Sequence, residues 1–118
     1  MLKTLPEIIS EARKSLKVIT AEQAAIEMKE TQGLLIDVRE VAETTQMPIQ
    51  KSLNIPRGIL EPTMLTKYPD ENLAIYLHCA SGVRATLAAE QLQRLGYNNV
   101  SVISCKADNI QTAFNSAN

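Results

Sequence analysis

Cys79 heads the stretch Cys79-Ala80-Ser81-Gly82-Val83-Arg84, which joins an apolar run to a helical pattern. A thiol, a Ser-Gly turn and an arginine in close succession are the residue types of nucleophilic chemistry. Thiolate, not thiol, is the nucleophile, and N–H groups, a helix N-terminus and a fixed positive charge all favour it. Gly82 permits a tight turn and a close backbone approach to a ligand. A loop that tightens into a helix aims several backbone N–H groups at one spot, where they would hold an anionic group left on the sulfur. The plainer reading makes Cys79 a buried apolar residue at a strand end. The order strand, Cys, Ser-Gly, Arg, helix favours the reactive one, with Cys79 catalytic and Ala80 to Arg84 as the anion-binding loop.

Residues in and around that loop have roles to assign. Arg84 would bind an anionic group, or pair with a carboxylate and hold the loop; its charge favours a neighbouring thiolate in both cases. Asp37 ends an apolar run and would orient Arg84 or Arg39 near the mouth, or simply cap the following turn. His78 precedes the nucleophile, but successive strand residues point to opposite faces, so it should face away. Ser81 would donate a hydrogen bond to the sulfur or merely suit the turn. Cys105 follows the last apolar run, which places it at the same sheet edge as Cys79, either as a resolving thiol or as an incidental one.

The elements that must position these residues are legible as periodicity. Leu5, Ile8, Ile9, Ala12 and Leu16 recur at helical spacing, so residues 1–16 read as an amphipathic helix packed on the domain. Thr20 and Gln23 have capping-box spacing for a second helix that runs through Glu30 and stops at Gly33, a good left-handed cap. Continuous apolar runs at Leu34–Val38, Ser52–Ile55, Leu73–His78 and Val100–Ile103 suit strands buried on both faces. Ala88, Leu92 and Leu95 line a helix that Gly96 closes. The expected fold is α/β: a three-layer arrangement with a mostly parallel central sheet flanked by helices. The domain is expected over 17–114, with a frayed tail at 115–118.

Composition bounds the partners. The 118 residues carry a net charge of -1, and no basic stripe offers a footprint for nucleic acid. No apolar run reaches the length of a membrane span. Two cysteines and one histidine make neither a disulfide framework nor a dedicated metal site, and nothing implies a cofactor. The first residues lack the apolar core of a secretory signal, so a chain complete at its start is expected in the cytoplasm.

In these residues and their order the chain resembles the rhodanese-like (sulfurtransferase) family from about Val18 to Ile103. Leu35-Ile36-Asp37-Val38-Arg39-Glu40 resembles the family's "(I/L)-I-D-V-R-E" strand, and Ser52-Leu53-Asn54-Ile55-Pro56 its "A-I-N-I-P" strand. Ile75 to Ala85 resembles the strand and active-site loop. Leu92, Gly96, Tyr97, Val100 and Val102 resemble the closing "L-x-x-x-G-Y/F-x-x-V". The resemblance implies a single-domain sulfurtransferase of the thiosulfate:cyanide type, which moves a sulfane sulfur through a Cys79 persulfide. The donor would be a small sulfur-containing anion such as thiosulfate, and the acceptor cyanide, a thiol or a protein. The loop runs six residues from Cys79 through Arg84, whereas related phosphatases and arsenate reductases have one more; these, and a non-catalytic binding module, are the alternatives. Departures from the family pattern are Ala80, where an arginine often stands, Met47 to Ser52 in place of "G-H-I-P-G-A", and Lys106-Ala107-Asp108 in place of a "G-G" turn.

Overall fold

Strands covered by helices on both faces need no polar alternate positions, and the apolar runs are used in that way. The computed structural model describes residues 1–115. In it β2 (Leu34–Asp37), β3 (Ser52–Asn54), β4 (Ile75–His78) and β5 (Val100–Ile103) fall on the four apolar runs, and β1 (Lys17–Ile19) adds an edge. The sheet is wholly parallel, in the order β1-β5-β4-β2-β3. Asp37 lies level with His78 across the β2–β4 pair, so both strands end beside Cys79.

Alternation along the strands builds two cores. Ile36, Ile75, Leu77, Val100 and Val102 pack on one face with Leu60 and Met64 of α4 (Leu60–Lys67) and with Ala85, Ala88, Ala89 and Leu92 of α5 (Val83–Leu95). Leu35, Tyr76 and Ile103 pack on the other with Ala21 and Ala24 of α2 (Ala21–Thr31) and Ile110 and Phe114 of α6 (Ala107–Asn115). α1 (Leu5–Arg13) lies against α5 and buries Ile9 and Ala12. Its expected apolar face is narrower than the periodicity suggests: Leu5 stays exposed, and the helix ends before Leu16. α3 (Val41–Gln46) and a 3₁₀ turn at Arg57–Ile59 complete the chain.

Three expectations shift. Thr20 does cap α2, accepting the Gln23 N–H at 3.1 Å, but the Gln23 side chain turns to Glu27 rather than back to the cap. The left-handed residue that ends α2 is Gln32, at φ 54°, not Gly33. Asn115 is not the start of a tail: it ends α6, and its Oδ1 accepts the Gln50 N–H at 3.0 Å. The rest of the expected tail, 116–118, lies outside the described residues.

Gly33 owes its place to crowding. A Cβ there would come within 2.6 Å of Tyr76 Cε2 and 2.7 Å of the Ala74 carbonyl oxygen. Tyr76 cannot swing aside freely, because its hydroxyl is held by Thr31 Oγ1 at 3.1 Å. Gly33→Ala should therefore destabilise the fold by roughly 1–3 kcal/mol through overpacking, read as a lower urea midpoint at unchanged slope.

Candidate active site

The alternation of β4 continues one residue past its end. Cys79 joins Ile75 and Leu77 in the core beneath α5, and Tyr76 packs on the opposite face, to which the same alternation sends His78. Cys79 is 1% exposed. Its Sγ accepts two backbone N–H groups, from Gly82 at 3.1 Å and from Ala85 at 3.4 Å. Hydrogen bonds of this kind are stronger to an anionic sulfur than to a neutral one, so the loop is shaped for negative charge at Sγ.

Gly82 makes that shape possible. Its φ of +92° is one that side-chain-bearing residues rarely adopt, and it serves as the N-cap of α5. The Gly82 carbonyl is held from behind by Thr86, whose N–H and Oγ1 donate at 3.0 and 2.6 Å. The Ala80 carbonyl accepts the Ala107 N–H at 2.9 Å, which ties the loop to the start of α6. Ser81 is exposed, and among the described residues its hydroxyl makes no hydrogen bond to the sulfur. Val83 opens α5 half-buried.

Arg84 pairs with a carboxylate, one of the roles expected of it. Its guanidinium grips Glu43 of α3 with two hydrogen bonds, at 2.7 and 2.9 Å. The Arg84 contact, with the Glu40 N–H, holds the Glu43 carboxyl down to about 2. In turn Arg84 is raised, chiefly by Glu43, with Cys79 among the smaller contributions. The pair is about a third exposed, so solvent screening limits it to about 1 kcal/mol and its value is geometric.

Asp37 orients Arg39 rather than Arg84. The Arg39 Nε and Nη2 donate to its carboxylate at 3.0 and 2.7 Å, the Arg39 N–H donates at 3.0 Å, and Thr44 Oγ1 donates at 2.9 Å. Burial alone would raise the Asp37 carboxyl; the Arg39 hydrogen bonds, nearby His78 and Thr44 lower it instead. Arg39 Nη2 also donates to the Met47 carbonyl at 2.8 Å. His78 is fully buried, with Nε2 2.7 Å from Ser52 Oγ and Nδ1 4.0 Å from Asp37 Oδ1. Burial pushes it down to about 4, with Asp37 opposing and Arg39 assisting, so it is neutral at pH 7.

Cys105 accepts the Ala21 N–H at 3.3 Å and packs against the core beneath α2 and α6. Cys79 belongs to the core on the opposite face, and both thiols are free. Glu43, Thr86 and Arg13 are the loop's neighbours that sequence reasoning missed. Glu43 had a signal: it stands three residues after Glu40, the capping-box interval, and takes the Glu40 N–H at 3.0 Å. Thr86 and Arg13 had none, since neither belongs to a recognisable pattern.

The family model described as Rhodanese-like domain matches residues 20–111. A Schizosaccharomyces pombe protein named "Putative thiosulfate sulfurtransferase, mitochondrial" is 36% identical over 80 residues, 57% of this chain and 55% of that protein. The chain thus spans about half the length of that curated relative. A solved Rhodopseudomonas palustris CGA009 structure, described as a protein of unknown function and "Possible Tyrosine Phosphatase", superposes with a TM-score of 0.81. It is 23% identical, over 96% of this chain and 92% of its own, and shows the fold alone. An E. coli structure described as a rhodanese with anions is 31% identical, with a TM-score of 0.57, over 64% of this chain and 89% of its own.

The buried histidine gives the fold an acid limit. His78 titrates near 4 when folded and near 6.5 when free, so the unfolded chain takes up the proton first as pH falls. Stability is complete above about pH 6.5 and is lost towards pH 4, with Glu43 extending the loss from 4.5 towards 2. Between pH 7 and pH 5 the His78 contribution should fall by about 2 kcal/mol. Urea unfolding across that range should show the slope, and His78→Gln should flatten it.

Proposed function

Because the chain belongs to the rhodanese-like domain family, we propose that it is a sulfurtransferase that carries sulfane sulfur on Cys79. The observation that supports this most is the pair of N–H groups, from Gly82 and Ala85, converging on Cys79 Sγ. The Cys79 thiolate attacks the outer sulfur of a donor such as thiosulfate. The S–S bond of the donor breaks, sulfite leaves with the electron pair, and Cys79 becomes a persulfide. An acceptor such as cyanide, a thiolate or a protein thiol then attacks the terminal sulfur and restores the thiolate. Neither half-reaction needs an outside oxidant or reductant. The N–H groups that hold the thiolate would hold the persulfide anion in turn.

The six-residue loop supports sulfur over phosphate as the group transferred. A second reading, a regulatory binding module, is favoured by two observations: Cys79 is nearly enclosed, and Arg84 is already committed to Glu43. Two free thiols suit a reducing compartment such as the cytoplasm.

Intact-mass measurement after incubation with thiosulfate separates these readings. A gain of one sulfur atom, absent in Cys79→Ser and reversed by cyanide, is the expected outcome. A persulfide that no acceptor removes would point to the binding module. No gain from thiosulfate, mercaptopyruvate or polysulfide would sink the sulfurtransferase.

A further inference from the structure

Two arginines stand against the nucleophile loop, and they are not equivalent. Arg84 is neutralised by Glu43. Arg13, in the last turn of α1, has no carboxylate partner among the described residues. Its Nε donates to Thr86 Oγ1 at 3.1 Å, while Nη2 lies 3.5 Å from the Gly82 carbonyl, long for such a bond. That carbonyl is already served by Thr86, so Arg13 is not needed to satisfy it. A guanidinium carries five N–H donors, and most of this one's capacity is uncommitted.

Its position is tied to the nucleophile through one residue. The Gly82 N–H donates to Cys79 Sγ, and a Cβ on Gly82 would come within 2.8 Å of Arg13 Nη2. The glycine therefore admits the guanidinium as well as the turn. Pro6, Ile9, Ser10 and Arg13 of α1 face Ser81 and Val83 across an open groove of about 430 Å³. The C-terminal turn of α1 favours the Arg13 cation, the N-terminus of α5 opposes it, and an anion in the groove would be attracted by the guanidinium and the α5 N-terminus together.

We propose that Arg13 is a substrate-binding residue, taking the anionic end of the sulfur donor in the groove between α1 and the nucleophile loop. α1 would thus supply in space the charge that Ala80 does not supply within the loop. α1 lies before residues 20–111, which the family model matches, so the family pattern itself does not call for this arginine. The inference rests on the persulfide reading. As the donor's S–S bond breaks, negative charge grows on the departing sulfite, and the guanidinium stabilises it there.

The test compares two donors whose outer sulfur is attacked in the same way but whose far ends differ in charge. Thiosulfate ends in a sulfonate, and cysteamine persulfide ends in an ammonium. The readout is the rate of Cys79 persulfide formation by quenched intact mass, as a function of donor concentration. Arg13→Gln should raise the half-saturating thiosulfate concentration about tenfold, the loss of one charged hydrogen-bonding partner. Its value for cysteamine persulfide should be unchanged or lower, and Arg13→Lys should recover part of the thiosulfate affinity. Ser10→Glu, which leaves the guanidinium in place and puts a negative charge in the groove, should act in the same direction as Arg13→Gln. An equal loss for both donors would make Arg13 a structural clamp and overturn the proposal, as would unchanged thiosulfate saturation in Arg13→Gln and Ser10→Glu. If the unsubstituted protein is charged by neither donor, the persulfide reading falls first and this inference with it.

Discussion

A carboxylate cut off from water, Asp37, organises the carboxyl edge of the sheet. An ionised group at that depth is tolerated only if its oxygens are fully hydrogen-bonded. Arg39 and Thr44 supply those bonds, and in doing so they curl the chain after β2 into α3. Asn54 locks the same turn from β3, donating to the Asp37 and Arg39 carbonyls at 2.9 Å. Only then does Glu43 stand where Arg84 can grip it. A loop that follows β4 is thus held from a turn that follows β2, by a sequence of contacts that starts in the interior. Replacing Asp37 would leave Arg39 buried and unpaired, and the disturbance would reach the first turn of α5.

Much of this was legible from sequence, for reasons that differ by element. The strands announce themselves because burial on both faces requires continuous apolar runs, and β2, β4 and β5 are such runs. Gly96 ends α5 with φ +109°, as its chemistry suggests. α3 was invisible because it buries nothing; it is held by polar bonds from its ends and has no apolar period. α6 did carry a period, in Ile110 and Phe114, four apart and both buried. Gly33 stands where a cap is expected, but its actual constraint is steric, and a contact with Tyr76 leaves no local pattern.

The nucleophile loop could be found because its parts are contiguous: sulfur, turn, N–H donors and arginine lie within a few residues. Its surroundings could not, because Arg13, Glu43 and Ala107 reach it from three elements far apart in the chain. The family resemblance follows the same division. The family model covers β2 to β5, the loop and the turn after β2. It does not extend to α1, and the side of the loop that α1 lines is where this chain can differ in what it admits.

The placement of β1 has a consequence for how the protein is made. Lys17 pairs with Ser101 and Ile19 with Ile103, so β1 has no partner until almost all of the other strands of this sheet have been synthesised. α1 is in the same position, since the helix it covers, α5, also comes late. Pairings so distant in sequence form slowly and expose apolar surface meanwhile. The surroundings of Cys79 share this delay. The cradle around Cys79 needs α5 in place, Ala80 needs Ala107, and Arg13 can reach Gly82 only when α1 has docked. The contacts that enclose the Cys79 sulfur therefore arrive only with the completed fold.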